Sequence, residues 1–418
     1  LKQYCAFLPY PIYLNGTLIN DREPLWIKKP SECTDQDYLE FYRYLYPMEE
    51  DPLFWIHLNV DYPFHLKGIL YFPKMKRDID LNKSTIQLYS NRVFVSDNCK
   101  DIVPDYLMAL RGVIDSPDIP LNVSRSYLQM DKTVRQLSSH ISKKVSDSLT
   151  VLFKTDREKY EKTWEDISTF VKLGAVQDDK FYDRMKEIFL FKSINGNYLT
   201  LPELLEKGKE KIYYSIHGEE SEALKGLYKD KEIVICKNPI DPYFIASIEK
   251  HNESVQFKRV DSDVEEHLID ADKEKTVIDE NGKTEAAHLA DFVRSVVKDP
   301  QIEVEAKSLK TNDIPCLIVM DESERRFRDY MAQMHPDDSK GALKAMKRKM
   351  VVNTNSPLMQ SIKKLETSNP DLAQNLVHEV FDLALISSRE MDANDLRNFL
   401  GRTQNLIEEL ASIAANKS

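Results

Sequence analysis

The chain has 418 residues, 42% of them hydrophobic and 30% charged, with a formal net charge of −11. That length suffices for about three domains with ordinary cores, and the acidic balance disfavours non-specific attraction to nucleic acid or anionic lipid. Only 11 glycines are present, which excludes Gly-rich repeats and collagen-like structure, and no apolar run approaches the roughly 18 residues of a membrane span.

Residues 1–145 mix strands and helices. WIHLNV (55–60), KGILYFP (67–73), TIQLYS (85–90) and RVFVSD (92–97) are short β-branched and aromatic runs separated by turn residues, which reads as strands. DYLEFYRYL (37–45) and DYLMALRGV (105–113) read as helices, the first capped by Asp35 or Asp37. Residues 131–192 read as mostly helical. LTVLF (149–153), WEDISTFVKLG (164–174) and FYDRMKEIFLF (181–191) have helical spacing, with Gly174 as a C-terminal stop. KIYYSIHG (211–218) and KEIVICKNP (231–239) then read as strands, SEALKGLYKD (221–230) and DPYFIASIEKH (241–251) as helices. Pro242 falls near the first turn of the latter, and the alternation suggests a small parallel α/β segment.

Residues 261–300 hold 12 Asp/Glu against 5 Lys/Arg and read as a solvated junction, helical at HLADFVRSVV (288–297). IEVEAKSL (302–309) and PCLIVMDE (315–322) look like strands of a last domain. In SERRFRDYMAQMHP (323–336), Phe327, Tyr330, Met331 and Met334 fall on one face of a helix. That helix is either an ordinary core helix or a binding one. Six of the chain's 12 Met lie between Met320 and Met359, and flexible thioethers suit promiscuous binding surfaces.

NPDLAQNLVHEVFDLALISS (369–388) opens with Asn369 as N-cap and Pro370 at the first helical position. DANDLRNFLGRTQNLIEELASIAA (392–415) follows after a short turn, with Asp392 as cap. Its Leu396, Phe399, Leu400, Leu406, Ile407, Leu410 and Ile413 make a wide apolar face. Such a face needs either the chain's own core or a second copy, and an isologous two-fold contact is the commonest solution.

The expected fold is therefore a multidomain α/β and α+β chain. A large α/β segment (1–145) is followed by a helical connector (146–205) and a small α/β segment (206–258). A mixed α/β domain (259–418) ends in a helical hairpin. The five cysteines, Cys5, Cys33, Cys99, Cys236 and Cys316, are scattered without a CxxC, so they read as reduced thiols of a cytoplasmic protein rather than a disulfide or zinc framework. Histidines are spread thinly and no metal site is expected. The chain begins at Leu with no signal peptide, which reads as a piece of a longer protein.

The stretch GVIDSPDIPLNVSRSYLQ (112–129) places Arg125 and Gln129 at the end of a loop, where functional side chains often sit. Four residues apart, they would share one face of a helix. Arg125 is either a surface salt-bridge residue or a guanidinium aimed at a phosphate, which its planar, always charged fork binds through two hydrogen bonds. No phosphate-cradling loop accompanies it. The basic KRKM (347–350) lacks an aromatic platform, and nucleic-acid binding is not expected.

LKQYCAFLPYPIYLNG (1–16), EPLWIKKP (23–30), EDPLFWIHLNVDYPFHLKGILYFP (50–73), NRVFVSD (91–97) and the 112–129 loop together resemble the middle domain of the ninety-kilodalton heat-shock chaperones. KIYYSIHGEE (211–220) and ICKNPIDPYF (235–244) extend the resemblance, which thins after about residue 260 and is strongest to the bacterial branch. The chain ends at NKS without the MEEVD of eukaryotic cytosolic forms, which speaks against docking of tetratricopeptide co-chaperones.

The resemblance implies a two-segment middle domain followed by a C-terminal dimerisation domain. It also implies an ATP-dependent chaperone that binds unfolded or partly folded clients. Arg125 then corresponds to the catalytic Arg that reaches the γ-phosphate of ATP, and Gln129 to a second residue of that loop. Asn122 and Ser124 shape the loop, and Phe94 makes an apolar contact with the docked ATPase domain. ATP and Mg would bind mainly outside this chain, in the protein's own N-terminal ATPase domain, so the chain alone should not hydrolyse ATP. Trp26 is either a core anchor or an exposed aromatic that touches clients, and Phe327, Tyr330, Met331 and Met334 form a second client surface. Leu396, Phe399, Leu400, Leu406 and Leu410 would form the homodimer interface. Two rival readings are a non-enzymatic interaction scaffold and the middle region of a DNA-repair or topoisomerase-type ATPase.

Overall fold

The computed structural model describes residues 2–20, 23–62, 64–74, 85–97, 99, 102–119, 132–208, 210–216, 218, 222–262, 264, 266–273, 284–334, 346–388 and 390–415. The chain divides into two compact units. One comprises Leu1–Phe191, Tyr198–Glu203 and Asn238–Asn252, the other Lys192–Asn197, Leu204–Lys237 and Glu253–Ser418.

The first unit is built on a five-stranded sheet in the order Phe54–Val60, Leu66–Phe72, Arg111–Asp115, Thr85–Ser90, Val93–Ser96. Neighbours are antiparallel except Thr85–Ser90 and Arg111–Asp115, which run parallel. Arg111–Asp115 is the central strand, and it corrects the expected helix at 105–113. Only Asp105–Leu107 makes a short 3-10 turn there. A wholly buried apolar run carries no periodicity by which a strand can be told from a helix. Gly112 settles the matter sterically. At φ +131° a Cβ would lie 1.9 Å from the carbonyl oxygen of Ile69, so only glycine admits this strand approach.

An aromatic core of Phe7, Trp26, Tyr38, Phe41, Tyr42, Tyr71 and Tyr89 fills one side of the sheet. The helix Asp35–Leu45 contributes three of these rings. Its cap is Thr34 rather than the expected Asp35 or Asp37. Asp37 instead completes a capping box, accepting from the Thr34 N–H at 2.7 Å while its own N–H donates to Thr34 Oγ1.

The helices Lys132–Thr155, Arg157–Gln177 and Asp179–Met185 follow. Gly174 does not stop its helix, which continues to Gln177. It sits where a Cβ would come within 2.8 Å of the rings of Phe181 and Tyr106, so its role is close packing. The expected helix at 181–191 ends at Met185, and the buried apolar run enters the strand Leu190–Lys192. The helix Asp241–His251 belongs to this unit and not to the α/β segment that precedes it in sequence. Lys172 reaches Asp241 at 2.5 Å, a nearly buried pair, and Phe244 packs on Phe189 and Phe191.

The second unit holds two small sheets. Three parallel strands, ordered Ile233–Ile235, Lys211–Ser215, Gln256–Arg259, form the first. In the other, Arg348–Asn353 lies between Ile302–Lys307, to which it is parallel, and Cys316–Val319, to which it is antiparallel. The KRKM tetrad therefore opens a central strand. Val304, Ile318, Met350 and Val352 make a core with the helices Glu285–Val297, Pro357–Ser368 and Pro370–Ser387. The expected solvated junction begins instead with a largely shielded carboxylate, Asp261, paired with Arg259 and Arg325. The last helix, Ala393–Ala415, forms a hairpin with Pro370–Ser387.

Candidate functional site

Arg125, Gln129, Asn122 and Ser124 lie outside the described residues. The residues that lead into their loop are well defined. At the end of the central strand, the buried Asp115 accepts from the Trp26 indole N–H at 3.0 Å and from the Arg92 main-chain N–H at 3.1 Å, both through Oδ2. Burial raises the Asp115 pKa, and the Trp26 hydrogen bond opposes that shift. Asn91 and Arg92 both have positive φ, 50° and 65°, in the turn between Thr85–Ser90 and Val93–Ser96. Asp115 thus supplies the acceptor that holds an otherwise unfavourable turn.

Ser116 donates its Oγ–H to the His65 carbonyl at 2.6 Å and its N–H to the Tyr89 carbonyl at 3.1 Å. Asp118 Oδ2 accepts from the His65 N–H at 2.6 Å. These described groups are acceptors and hydroxyls already engaged with main chain. They do not make a polyphosphate cradle by themselves, and no step through ATP follows from them. Among the described residues no cluster of His, Cys, Asp or Glu is placed to hold a metal ion. No described helix is long and apolar enough to cross a membrane.

Trp26 is corrected from exposed client contact to core anchor. It is fully buried, with ring centroids 4.8 Å from Phe7, 5.2 Å from Tyr89 and 5.9 Å from Phe41. Phe94, expected to make an apolar contact with a docked ATPase domain, is shielded within this chain. Its side chain is buried, flanked edge-on by Tyr89 and by Tyr4, and Tyr4 is the exposed ring of that group.

The second expected client surface is the helix Glu322–Met334. Asp321 caps it by accepting from the N–H groups of Ser323 and Glu324. Charge contacts fix its first two turns. Arg325 donates to Asp261 at 2.9 Å, Arg326 to the Phe257 carbonyl at 2.8 Å, and Glu322 accepts from the Tyr214 hydroxyl at 2.9 Å. Arg328 donates to Glu390 at 2.7 Å. Phe327 points away from this attachment and is 57% exposed, so it is not a core residue. Met331 is half-buried, and the side chains of Tyr330 and Met334 lie outside the described set.

The last helix divides its apolar residues between two faces. Phe399 and Leu406, each 9% exposed, share a face with Arg402 and Thr403. Thr403 donates to Glu379 at 2.7 Å and Arg402 pairs with Asp382, both acceptors lying on Pro370–Ser387. Phe399 and Leu406 therefore belong to the hairpin's own interior, which corrects their expected place in an interface between copies. Leu396, Leu400 and Leu410 remain exposed, with Ile407 beside them at 61%.

Sequence reasoning did not single out Asp115, Arg328 or Glu390. Asp115 had a usable signal, since it stands directly before the Ser-Pro of the loop motif. Glu390 had none, being one acid among several polar residues between two helices.

The fold is a multidomain chain of two mixed α/β units that ends in a helical hairpin. A family profile described as Hsp90 protein matches residues 10–418. The chain belongs to the Hsp90 family. It is 44% identical over 357 residues to the chaperone protein htpG of Bacteroides fragilis, covering 79% of this chain and 52% of that protein. It is 41% identical over 391 residues to the chaperone protein HtpG of Porphyromonas gingivalis, covering 87% of this chain and 57% of the relative. The chain thus spans about half the length of the curated relatives it matches.

Proposed function

We propose that this chain is the client-binding and dimerising part of an ATP-dependent chaperone of the HtpG type. The observation that carries the reading is the stripe Leu396, Leu400, Ile407 and Leu410, left outward after Phe399 and Leu406 have closed the hairpin. Four exposed aliphatic side chains on one helix are costly to leave in water, at about 25 cal/mol per Å² of apolar surface. A second copy of the same stripe covers them most simply. The helix Glu322–Met334, attached through its arginines with Phe327 outward, supplies apolar surface for unfolded or partly folded polypeptide.

Arg125 and Gln129 are proposed to act on ATP held elsewhere in the full-length protein, Arg125 by neutralising charge on the transferred phosphoryl group. Asp115, Ser116 and Asp118 tether the strand end from which their loop departs. The family match and the greater length of the relatives support this reading. Cytoplasmic location is part of the same proposal.

Light scattering tests the dimer. The expected result is a two-chain mass for the wild type and a one-chain mass for Leu396→Glu/Leu410→Glu. A wild-type monomer at micromolar concentration would overturn it. For the loop, Arg125→Ala in the full-length protein should lower ATP hydrolysis by on the order of a thousand-fold, and an unchanged rate would remove Arg125 from the mechanism.

A further inference from the structure

Glu390 stands in the turn between the last two helices, Pro370–Ser387 and Ala393–Ala415. Its Oε1 accepts from Arg328 Nη1 at 2.7 Å and its Oε2 from Arg348 Nη1 at 3.1 Å. The side chains of Arg328, Glu390 and Arg348 are 13%, 16% and 12% exposed. Arg328 belongs to the helix Glu322–Met334, and Arg348 opens the central strand Arg348–Asn353. One carboxylate therefore ties the candidate client helix and the sheet to the turn that starts the last helix.

The bridge is not interchangeable with a surface ion pair. Two guanidinium groups converge on one carboxylate with little water around them. Loss of that carboxylate removes counter-charge that both guanidinium groups share in a poorly solvated place. Arg348 has a second, looser acid in Asp299, at 3.8 Å. The helix Glu322–Met334 keeps Asp261 for Arg325 near its N-terminal end. What disappears with Glu390 is the pairing that joins that helix, through Arg328, to the hairpin turn.

We propose that Glu390 is a positioning residue. Through Arg328 it locks the candidate client helix to the hairpin turn, so that the set of the Phe327 face and the set of the Leu396/Leu400 face are coupled. The coupling of client binding to dimerisation rests on the proposed function. The lock itself does not.

Amide hydrogen exchange on the whole chain tests it, comparing wild type with Glu390→Gln and Arg328→Gln. Each variant should raise exchange several-fold in both Glu322–Met334 and the first turns of Ala393–Ala415, with the strand Leu66–Phe72 unchanged as control. Should either variant fail to fold, Glu390→Asp, which keeps the charge on a shorter arm, should give a smaller rise in the same two elements. Exchange altered in neither element, or in only one of them, overturns the lock.

Binding of reduced, carboxymethylated lactalbumin, a permanently unfolded probe, separates the two readings. Phe327→Glu should weaken it several-fold, and Glu390→Gln should change it with Phe327 intact. If exchange rises as expected while Phe327→Glu binds the probe like wild type, the client reading falls and the lock stands. If Phe327→Glu loses the probe while Glu390→Gln leaves exchange unchanged, the lock falls and the client reading stands.

Discussion

Trp26 and Asp115 are 89 residues apart in sequence and joined by one buried hydrogen bond, indole N–H to carboxylate, at 3.0 Å. The contact links the PLW turn to the last residue of the central strand, and the same carboxylate oxygen holds the Asn91–Arg92 turn. The Asn91 main-chain N–H also acts on this carboxylate, while among the described residues its Oδ1 makes no hydrogen bond of ordinary geometry. Trp26→Ala should cost about 3–5 kcal/mol, the usual range for a buried large aromatic. Trp26→Phe should cost about 1–3 kcal/mol, because it keeps most of the volume but removes the donor. All three Trp residues (Trp26, Trp55, Trp164) lie in the first unit, so intrinsic fluorescence during urea unfolding follows that unit separately.

The raised Asp115 pKa gives this contact a pH dependence with a definite sign. A carboxyl whose folded pKa exceeds its unfolded value contributes stability that is fully present below the unfolded pKa. That stability is lost as pH rises through the folded one. Asp115→Asn keeps an acceptor for Trp26 and Arg92 without the charge. Relative to wild type, the variant should therefore gain stability as pH rises from about 3 to about 7. A wild-type minus variant difference that stays flat with pH, read from fluorescence urea midpoints, would sink this account.

Gly174→Ala tests whether that glycine is a packing residue. An added methyl group meets the Phe181 and Tyr106 rings at 2.8 Å, and neither ring is free to retreat from a filled core. The expected loss is about 1–3 kcal/mol, the usual cost of overpacking. Gly401→Ala, with nothing within 4 Å, should gain about 0.5–1 kcal/mol from helix propensity in the second unit. If Gly174→Ala stabilised the first unit, the glycine would be there for reasons other than packing.

Where local chemistry decided the structure, the sequence was readable. Thr85–Ser90 matches the run TIQLYS residue for residue, and Asn369 with Pro370 opens its helix as composition suggests. Arg111–Asp115 has no readable period because it is buried on both faces. Gln256–Arg259 and Arg348–Asn353 carry no local strand signal because charged residues interrupt them, and their pairing partners are distant in sequence. The same limit applied to function. Trp26 looked loop-like beside Pro24 and its charged neighbours, but its place is set by rings from Phe7, Phe41 and Tyr89, which no local window contains. The apolar residues of the last helix were legible as a set. Only the hairpin contact through Thr403 and Arg402 separates inward Phe399 and Leu406 from outward Leu396 and Leu400.

Glu203 provides the opposite pH dependence to Asp115. Its carboxylate accepts from Arg157 at 2.6 and 2.9 Å and from the Thr200 N–H at 2.7 Å, at the start of the helix Leu201–Gly208. The Arg157 hydrogen bond, aided by the Thr200 N–H, depresses its pKa from 4.5 to about 2 against the opposing effect of burial. A depressed folded pKa contributes stability that is present above the unfolded value and is lost as pH falls through the folded one. The stability advantage of wild type over Glu203→Gln in the first unit should therefore be steady at neutral pH. It should shrink between about pH 4.5 and about pH 2, as read by Trp fluorescence in urea. If it holds steady down to pH 2, the Arg157 pair makes no net contribution and Glu203 serves the helix start as a neutral acceptor would. Arg157→Gln separates the two contributions, because it leaves the Thr200 N–H in place and removes the guanidinium. It should move the acid loss upward towards pH 4.5, and an acid limb that does not move would assign the depressed pKa to the helix start alone.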